Sequence, residues 1–215
     1  MGLIRIRDSI RRLLFFTQSL VRKILSLPLV AWVYQHRQLL LLRHELVEGL
    51  NGVPSLDVHA NEWGDLSLFE QTERWLSKEQ FLEEAERRNK EGMRFYSVIR
   101  CGKLVYYSWV VPNQSSARFP AVDQSFEFPD GADVIFNAYT HPEARGQGIH
   151  KQVLMRQLYD SSQQQGTSSV FIAIDPKNLP ARLAVEAAGF EPVALFWKKT
   201  CFGRSTKGAS SLTRF

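Results

Sequence analysis

At 215 residues and 24.7 kDa, the chain is long for one domain and short for two, which predicts one folded domain with an appendage. A composition of 44% hydrophobic and 23% charged residues, with 13 Gly and 9 Pro, excludes a collagen-like, largely disordered or wholly membrane-embedded protein. Only two cysteines occur, Cys101 and Cys201, far apart in sequence; they exclude a disulfide framework, a zinc cluster and a Cys-x-x-Cys redox pair, and predict a reducing, cytoplasmic setting. The net charge of +5 is uneven. Arg5, Arg7, Arg11, Arg12, Arg22, Lys23, Arg37 and Arg43 face only Asp8 and Glu45 within residues 1–45, so the rest of the chain is slightly acidic.

Residues 1–45 read as a basic arm. Leu3, Ile6, Ile10, Leu13, Leu20 and Ile24 recur near helical spacing with the cations largely on the other side, which predicts an amphipathic helix ending before Pro28. Arg22 and Lys23 interrupt any run long enough to span a bilayer. Apolar area with Phe15 and Phe16 on one side and arginines on the other suits an anionic membrane surface; packing on the domain or on a second copy in a homodimer is the alternative. Nucleic-acid binding is disfavoured, because no basic-aromatic module of a known binding fold appears.

The body is predicted over 46–203, with a tail at 204–215. Residues 39–47 read equally as a strand or as the end of the arm, and Asn51-Gly52-Val53-Pro54 breaks the chain. A short strand at 56–60 leads to a helix at 66–75. Ser77 and Gln80 form a capping box for a helix ending near Lys90, with Gly92 as its stop. Strands at 94–100 and 104–111 flank Cys101-Gly102-Lys103 as a hairpin, and a polar loop covers 112–130. A strand at 133–139, a loop, a helix at 149–164, a strand at 169–175, a helix at 179–188 and a strand at 192–200 complete a mixed α/β order.

The loop before the 149–164 helix is the most informative stretch. Arg145-Gly146-Gln147-Gly148 opens a helix whose first-turn N–H groups lack intrahelical partners; glycines let an anion approach them and the helix dipole favours negative charge. A pyrophosphate fits there. The pattern lacks the Gly-Lys-Ser/Thr ending of a Walker A loop, and the third glycine and downstream acid of a dinucleotide fingerprint.

Arg145-Gly146-Gln147-Gly148-Ile149-His150, preceded by His141-Pro142-Glu143, resembles the pyrophosphate loop Gln/Arg-x-x-Gly-x-Gly/Ala of the GNAT acyltransferase superfamily. Asn178-x-x-Ala181 and Glu186-x-x-Gly189-Phe190 resemble its second motif. The resemblance spans roughly residues 55–200 and implies a GNAT-like α/β mixed-sheet fold, here with an N-terminal helical arm. It also implies an acyl-CoA-dependent N-acyltransferase that takes acetyl-CoA as donor, needs no metal, and transfers the acetyl group to a primary amine by direct attack. The cofactor residues implied are Ala138, Tyr139 and Thr140 for the pantetheine arm, Arg145, Gly146, Gln147, Gly148, Ile149 and His150 for the pyrophosphate, and Asn178 for the arm or the adenine. The strand carrying 137–140 is expected to splay from its neighbour, and an N–H near Ala138 or Tyr139 to hold the oxyanion.

Two positions depart from the pattern. His150 stands where Gly or Ala is usual, and Val185 where the family often has a general-acid Tyr; a thiol leaves as thiolate without a donor. The base is assigned by resemblance to Asp133 at the start of the motif strand, with Asn137 sharing its face at period two and Tyr107 reaching in from the neighbouring strand. Glu127 and His141 are weaker candidates. The acceptor site is expected between the two early helices and the 112–130 loop. An acceptor made at the inner membrane face, such as an amino sugar on a lipid carrier or a lipid-like amine, would give the arm a purpose. The competing expectation is a noncatalytic CoA sensor or membrane-associated interaction module.

Overall fold

The computed structural model describes residues 33–46, 56–72 and 76–212. The expected helix before Pro28 and the break at 51–54 lie outside them. The ten described strands are β1 (Tyr34–Glu45), β2 (His59–Ala60), β3 (Arg94–Arg100), β4 (Lys103–Val111), β5 (Ser116–Phe119), β6 (Gln124–Glu127), β7 (Ala132–Thr140), β8 (Ser169–Ile174), β9 (Glu191–Cys201) and β10 (Arg204–Ser211). Eight of them form one sheet in the order β10-β9-β1-β8-β7-β4-β3-β2, and β5 and β6 form a separate hairpin. Only β7 and β8 run parallel in the sheet. Such a pair needs a crossover, and α2 (Ile149–Ser162) supplies it. The other helices are α1 (Lys78–Lys90) and α3 (Leu179–Ala187).

Both faces of the sheet are covered. On one, Leu40, Leu42, Ile135, Ile172 and Tyr106 pack with Val153, Leu154 and Leu158 of α2 and Val185 of α3. On the other, α1 and a 3₁₀ turn at Trp63–Leu68 cover Phe95, Tyr107 and Trp109. The β5–β6 hairpin covers Leu41, Phe171 and Phe196. The run Leu39–Leu42 therefore serves two cores, because alternate residues of a central strand point to opposite faces. At the start of α1 the capping box is complete: Gln80 N donates to Ser77 Oγ at 3.2 Å and Ser77 N to Gln80 Oε1 at 3.0 Å.

Four expectations change. The domain reaches back to Tyr34, since β1 is hydrogen-bonded to β9 on one side and β8 on the other, so the boundary drawn at 45 cuts through the sheet. The tail at 204–215 contributes β10, paired with β9 from Arg204 to Ser211. The 112–130 loop contains a hairpin. The helix expected at 66–75 is a 3₁₀ turn at 63–68, the short form common in connectors; residues 73–75 lie outside the described chain.

Candidate functional site

The register of β7 with β8 ends at Ile135–Ile172. Beyond it the strands part, and a cleft of about 860 Å³ opens between Phe136–Thr140 on one side and Ile172–Asp175 on the other, closed at one end by the start of α2 and flanked by α3. All ten residues assigned to the cofactor from sequence line this cleft: Ala138, Tyr139 and Thr140 on the strand, Arg145 to His150 on the loop and helix start, and Asn178 before α3.

A bulge shapes the strand wall. Tyr107 faces Tyr139 while Trp109 faces Phe136, so β7 carries one more residue than β4 across that interval. Asn137 takes it up with φ +50°, the left-handed conformation that Asn tolerates better than most residues.

The helix end meets the demands of an anion. Gly146 and Gly148 have φ +76° and +72°, and a Cβ on either would meet no atom within 4 Å, so open space lies before both. Gly148 is the N-cap of α2, no side chain caps that end, and its first turn holds no acid. The first-turn N–H groups thus have neither an intrahelical acceptor nor a capping side chain. Gln147 is tied across the loop, accepting from Arg100 and donating to the Glu143 carbonyl at 3.1 Å. Arg145 Nε donates to the Thr140 carbonyl at 3.1 Å, linking loop to strand. Asn178 Oδ1 accepts from Ala181 N at 3.3 Å, capping α3, which leaves its Nδ2 to donate elsewhere.

His150 does not block the loop. Its Nδ1 lies 2.9 Å from the Tyr106 hydroxyl, and burial lowers its pKa to about 4, so the imidazole is neutral at pH 7 and adds no charge for phosphate. Between about pH 6.5 and pH 4 the unfolded chain binds this proton and the folded one does not, so stability is present above that window and is lost as pH falls through it. A shift of that size corresponds to on the order of 3–4 kcal/mol. Urea unfolding at pH 7 and pH 4.5 is expected to show a pH penalty that shrinks in His150→Gln. His44, also lowered by burial, keeps part of it.

The three residues assigned to catalysis separate. Asp133 is 1% exposed and lies outside the cleft lining. Its carboxylate accepts from Arg94, from Ser161 Oγ at 2.7 Å and from Asn113 N at 3.1 Å. It is a buried structural ion-pair member. Asn137 does line the cleft, but the bulge breaks the period-two face: with its amide oxygen facing α1, it accepts from Arg88 at 2.7 and 3.1 Å, whereas Asp133 faces Ser161 of α2. Tyr107 is 1% exposed, packs on Tyr139 and Phe81 with ring centroids 5.2 and 4.9 Å apart, and burial pushes its hydroxyl up to about 12. It keeps its proton at neutral pH and is no base.

Arg88 is the residue the sequence reading missed. Its guanidinium lies 4.9 Å from the ring centroids of both Trp109 and Phe136, pairs with Glu84 at 2.9 Å and holds the bulge through Asn137. Burial lowers its pKa. Glu84 is held down at about 2, chiefly by its bond to Arg87, and so is a poor proton acceptor. The available signal was position: Phe81, Ala85 and Arg88 are the buried residues of α1, so an arginine sits on the apolar stripe.

No protein-family model matches the chain, and no curated protein matches it. Among solved structures it is similar to an acetyltransferase of the GNAT family from Colwellia psychrerythraea, at 17% identity and a TM-score of 0.50 over 74% of this chain and 54% of that one. It is also similar to a GCN5-related N-acetyltransferase from Sphaerobacter thermophilus, at 13% identity and a TM-score of 0.50 over 79% and 53%. The chain spans about half the length of these two structures. The splayed parallel pair, the bulged strand and the glycine-opened helix are thus set in the mixed sheet of a GNAT acetyltransferase fold.

Proposed function

We propose that the protein is an acyl-CoA-dependent N-acyltransferase, using acetyl-CoA and a primary amine. The observation that carries this reading is the uncapped start of α2, opened by two left-handed glycines at the end of a cleft between parting strands. Backbone N–H groups of Gly146 to Lys151 would hold the pyrophosphate, and the β7 edge from Phe136 to Thr140, past the end of its register with β8, would bind an extended pantetheine as an added strand. Acetyl-CoA supplies an activated thioester. Asn137 and Arg88 fix the bulge, and with it the directions of the Ala138 and Tyr139 N–H groups. The acceptor would enter from the side of α1 and the 3₁₀ turn, where Tyr139 bonds to Thr72.

Residues 1–32 would hold this cytoplasmic enzyme at the anionic inner face of a membrane, with a lipid-linked amino sugar or a lipid-like amine as acceptor. Among the described residues no helix is long and apolar enough to cross a bilayer. The second reading, a CoA-binding sensor, is favoured by the burial of both Asp133 and Tyr107 away from the cleft and by Val185 sitting in the core.

Calorimetric titration with acetyl-CoA and desulfo-CoA tests the cleft, with micromolar binding of both expected and no binding overturning it. Release of free CoA with a panel of amines separates enzyme from sensor. A Cys101→Ser/Cys201→Ser background suits a thiol assay, because both cysteines are free and exposed.

A further inference from the structure

The sheet has an unusual end. Arg37 of β1, Lys198 of β9 and Lys207 of β10 lie directly opposite one another across three adjacent strands, a spacing of about 5 Å per strand. Like charges placed opposite one another in a sheet are destabilising. Across 34–37 and 198–207 the sequence has five Lys or Arg and no Asp or Glu. The acid that meets them, Asp123 from the β5–β6 hairpin, is shared by Arg118 at 2.9 Å, Lys207 at 3.2 Å and Lys198 at 3.8 Å. One carboxylate therefore answers several cations, and the end of the sheet keeps a positive surplus.

Aromatic rings are exposed at the same end. Phe202, in the turn joining β9 to β10, is 67% exposed, and Tyr34, at the start of β1, is 48% exposed. Phe202 N donates to the Val33 carbonyl at 2.9 Å, so the chain enters the described domain beside this turn, directly after the arginine-rich sequence 1–32. Exposed aromatics at the same end of a sheet as a surplus of cations are the composition of a surface that meets anionic headgroups: the rings enter the interface and the cations stay at phosphate level.

We infer that the β9–β10 turn and the start of β1 form a second membrane-contacting surface, which docks the folded domain on an anionic bilayer next to the segment 1–32. This deepens the membrane association proposed above and rests on it. It also orients the domain, since one terminal segment alone would leave the body free to rotate over the bilayer.

The test is sedimentation of the full chain with phosphatidylcholine vesicles, with and without phosphatidylglycerol. The wild type is expected to partition onto the anionic vesicles and to leave them at high salt. Arg204→Gln and Lys207→Gln are each expected to lower the partition coefficient about fivefold, with thermal unfolding unchanged in Arg204→Gln. Phe202→Trp adds a reporter whose emission is expected to move to the blue with anionic vesicles and to be quenched by brominated lipid. If Arg11→Glu/Arg12→Glu abolishes partitioning while the two glutamine variants bind as the wild type does and the added tryptophan stays unquenched, the inference is overturned and the role of 1–32 stands. If the wild type ignores anionic vesicles, both fall. Binding to duplex DNA in preference to the vesicles overturns the inference in favour of a nucleic-acid surface.

Discussion

Gly148→Glu is expected to raise the dissociation constant for acetyl-CoA by at least about 100-fold, or ~2.7 kcal/mol, while leaving the protein folded. Two effects act together. A non-glycine residue at φ +72° is strained by about 1–3 kcal/mol, although the open space before Gly148 accommodates the new Cβ. The larger effect is electrostatic. A carboxylate at an uncapped helix start would accept from the same N–H groups and satisfy the same dipole as a bound pyrophosphate, and so would compete for its place. That internal competition also offsets part of the strain, which is why folding survives. Gly148→Ala separates the terms, keeping the strain and lacking the charge; a loss of only about tenfold is expected, ~1.4 kcal/mol. Calorimetry with both variants decides the matter, and undiminished acetyl-CoA binding by Gly148→Glu would place the phosphates elsewhere.

The second large effect is on stability and comes from the residue the sequence had marked for catalysis. Asp133→Ala removes the carboxylate that balances Arg94, a side chain whose Nε and Nη1 are already buried without partners. Breaking a buried pair from one side costs about 3–5 kcal/mol, a fall in Tm of roughly 6–20 °C for a chain this size. Ser161 Oγ and Asn113 N lose their acceptor as well. Asp133→Leu combined with Arg94→Met is expected to recover much of the loss, since apolar replacement of a whole buried pair is often neutral or stabilising. Below its lowered Tm, Asp133→Ala should bind acetyl-CoA like the wild type, because the carboxylate lies outside the cleft lining. Full stability together with a loss of turnover at unchanged acetyl-CoA affinity would restore Asp133 to catalysis.

The cleft was legible in the sequence because its parts are local. Gly146 and Gly148 are forced by left-handed backbone, and the strand, loop and helix follow one another without interruption from Ala132 to Ser162. The catalytic side was not, because it depends on a bulge. Period two places Asp133 and Asn137 on one face, and one extra residue in β7 turns Asn137 toward Arg88 of α1. No pattern of residue types announces that insertion. Strand β1 was ambiguous because four consecutive leucines suit a buried helix as well as a strand covered on both faces. Strand β10 was invisible, as Arg-Ser-Thr-Lys-Gly-Ala-Ser-Ser has no apolar alternation: it is an edge strand with a largely solvated surface. The β5–β6 strands are four residues each, too short for periodicity to register.

The placement of β1 has a consequence for biosynthesis. Its register partners are Ser169–Ile174 on one side and Glu191–Cys201 on the other, the last part of the domain to leave the ribosome before β10. At about 5–20 residues per second, the Leu39–Leu42 run waits on the order of ten seconds for the strands that will cover it. During that interval it is a short, uncharged, β-competent segment exposed on a nascent chain, the kind that associates with its own copies. The cations on either side of it, Arg37 and Arg43, then act as gatekeepers before they become part of a folded surface, and neutralising both is expected to divert newly made chains into aggregates without lowering the stability of those that fold.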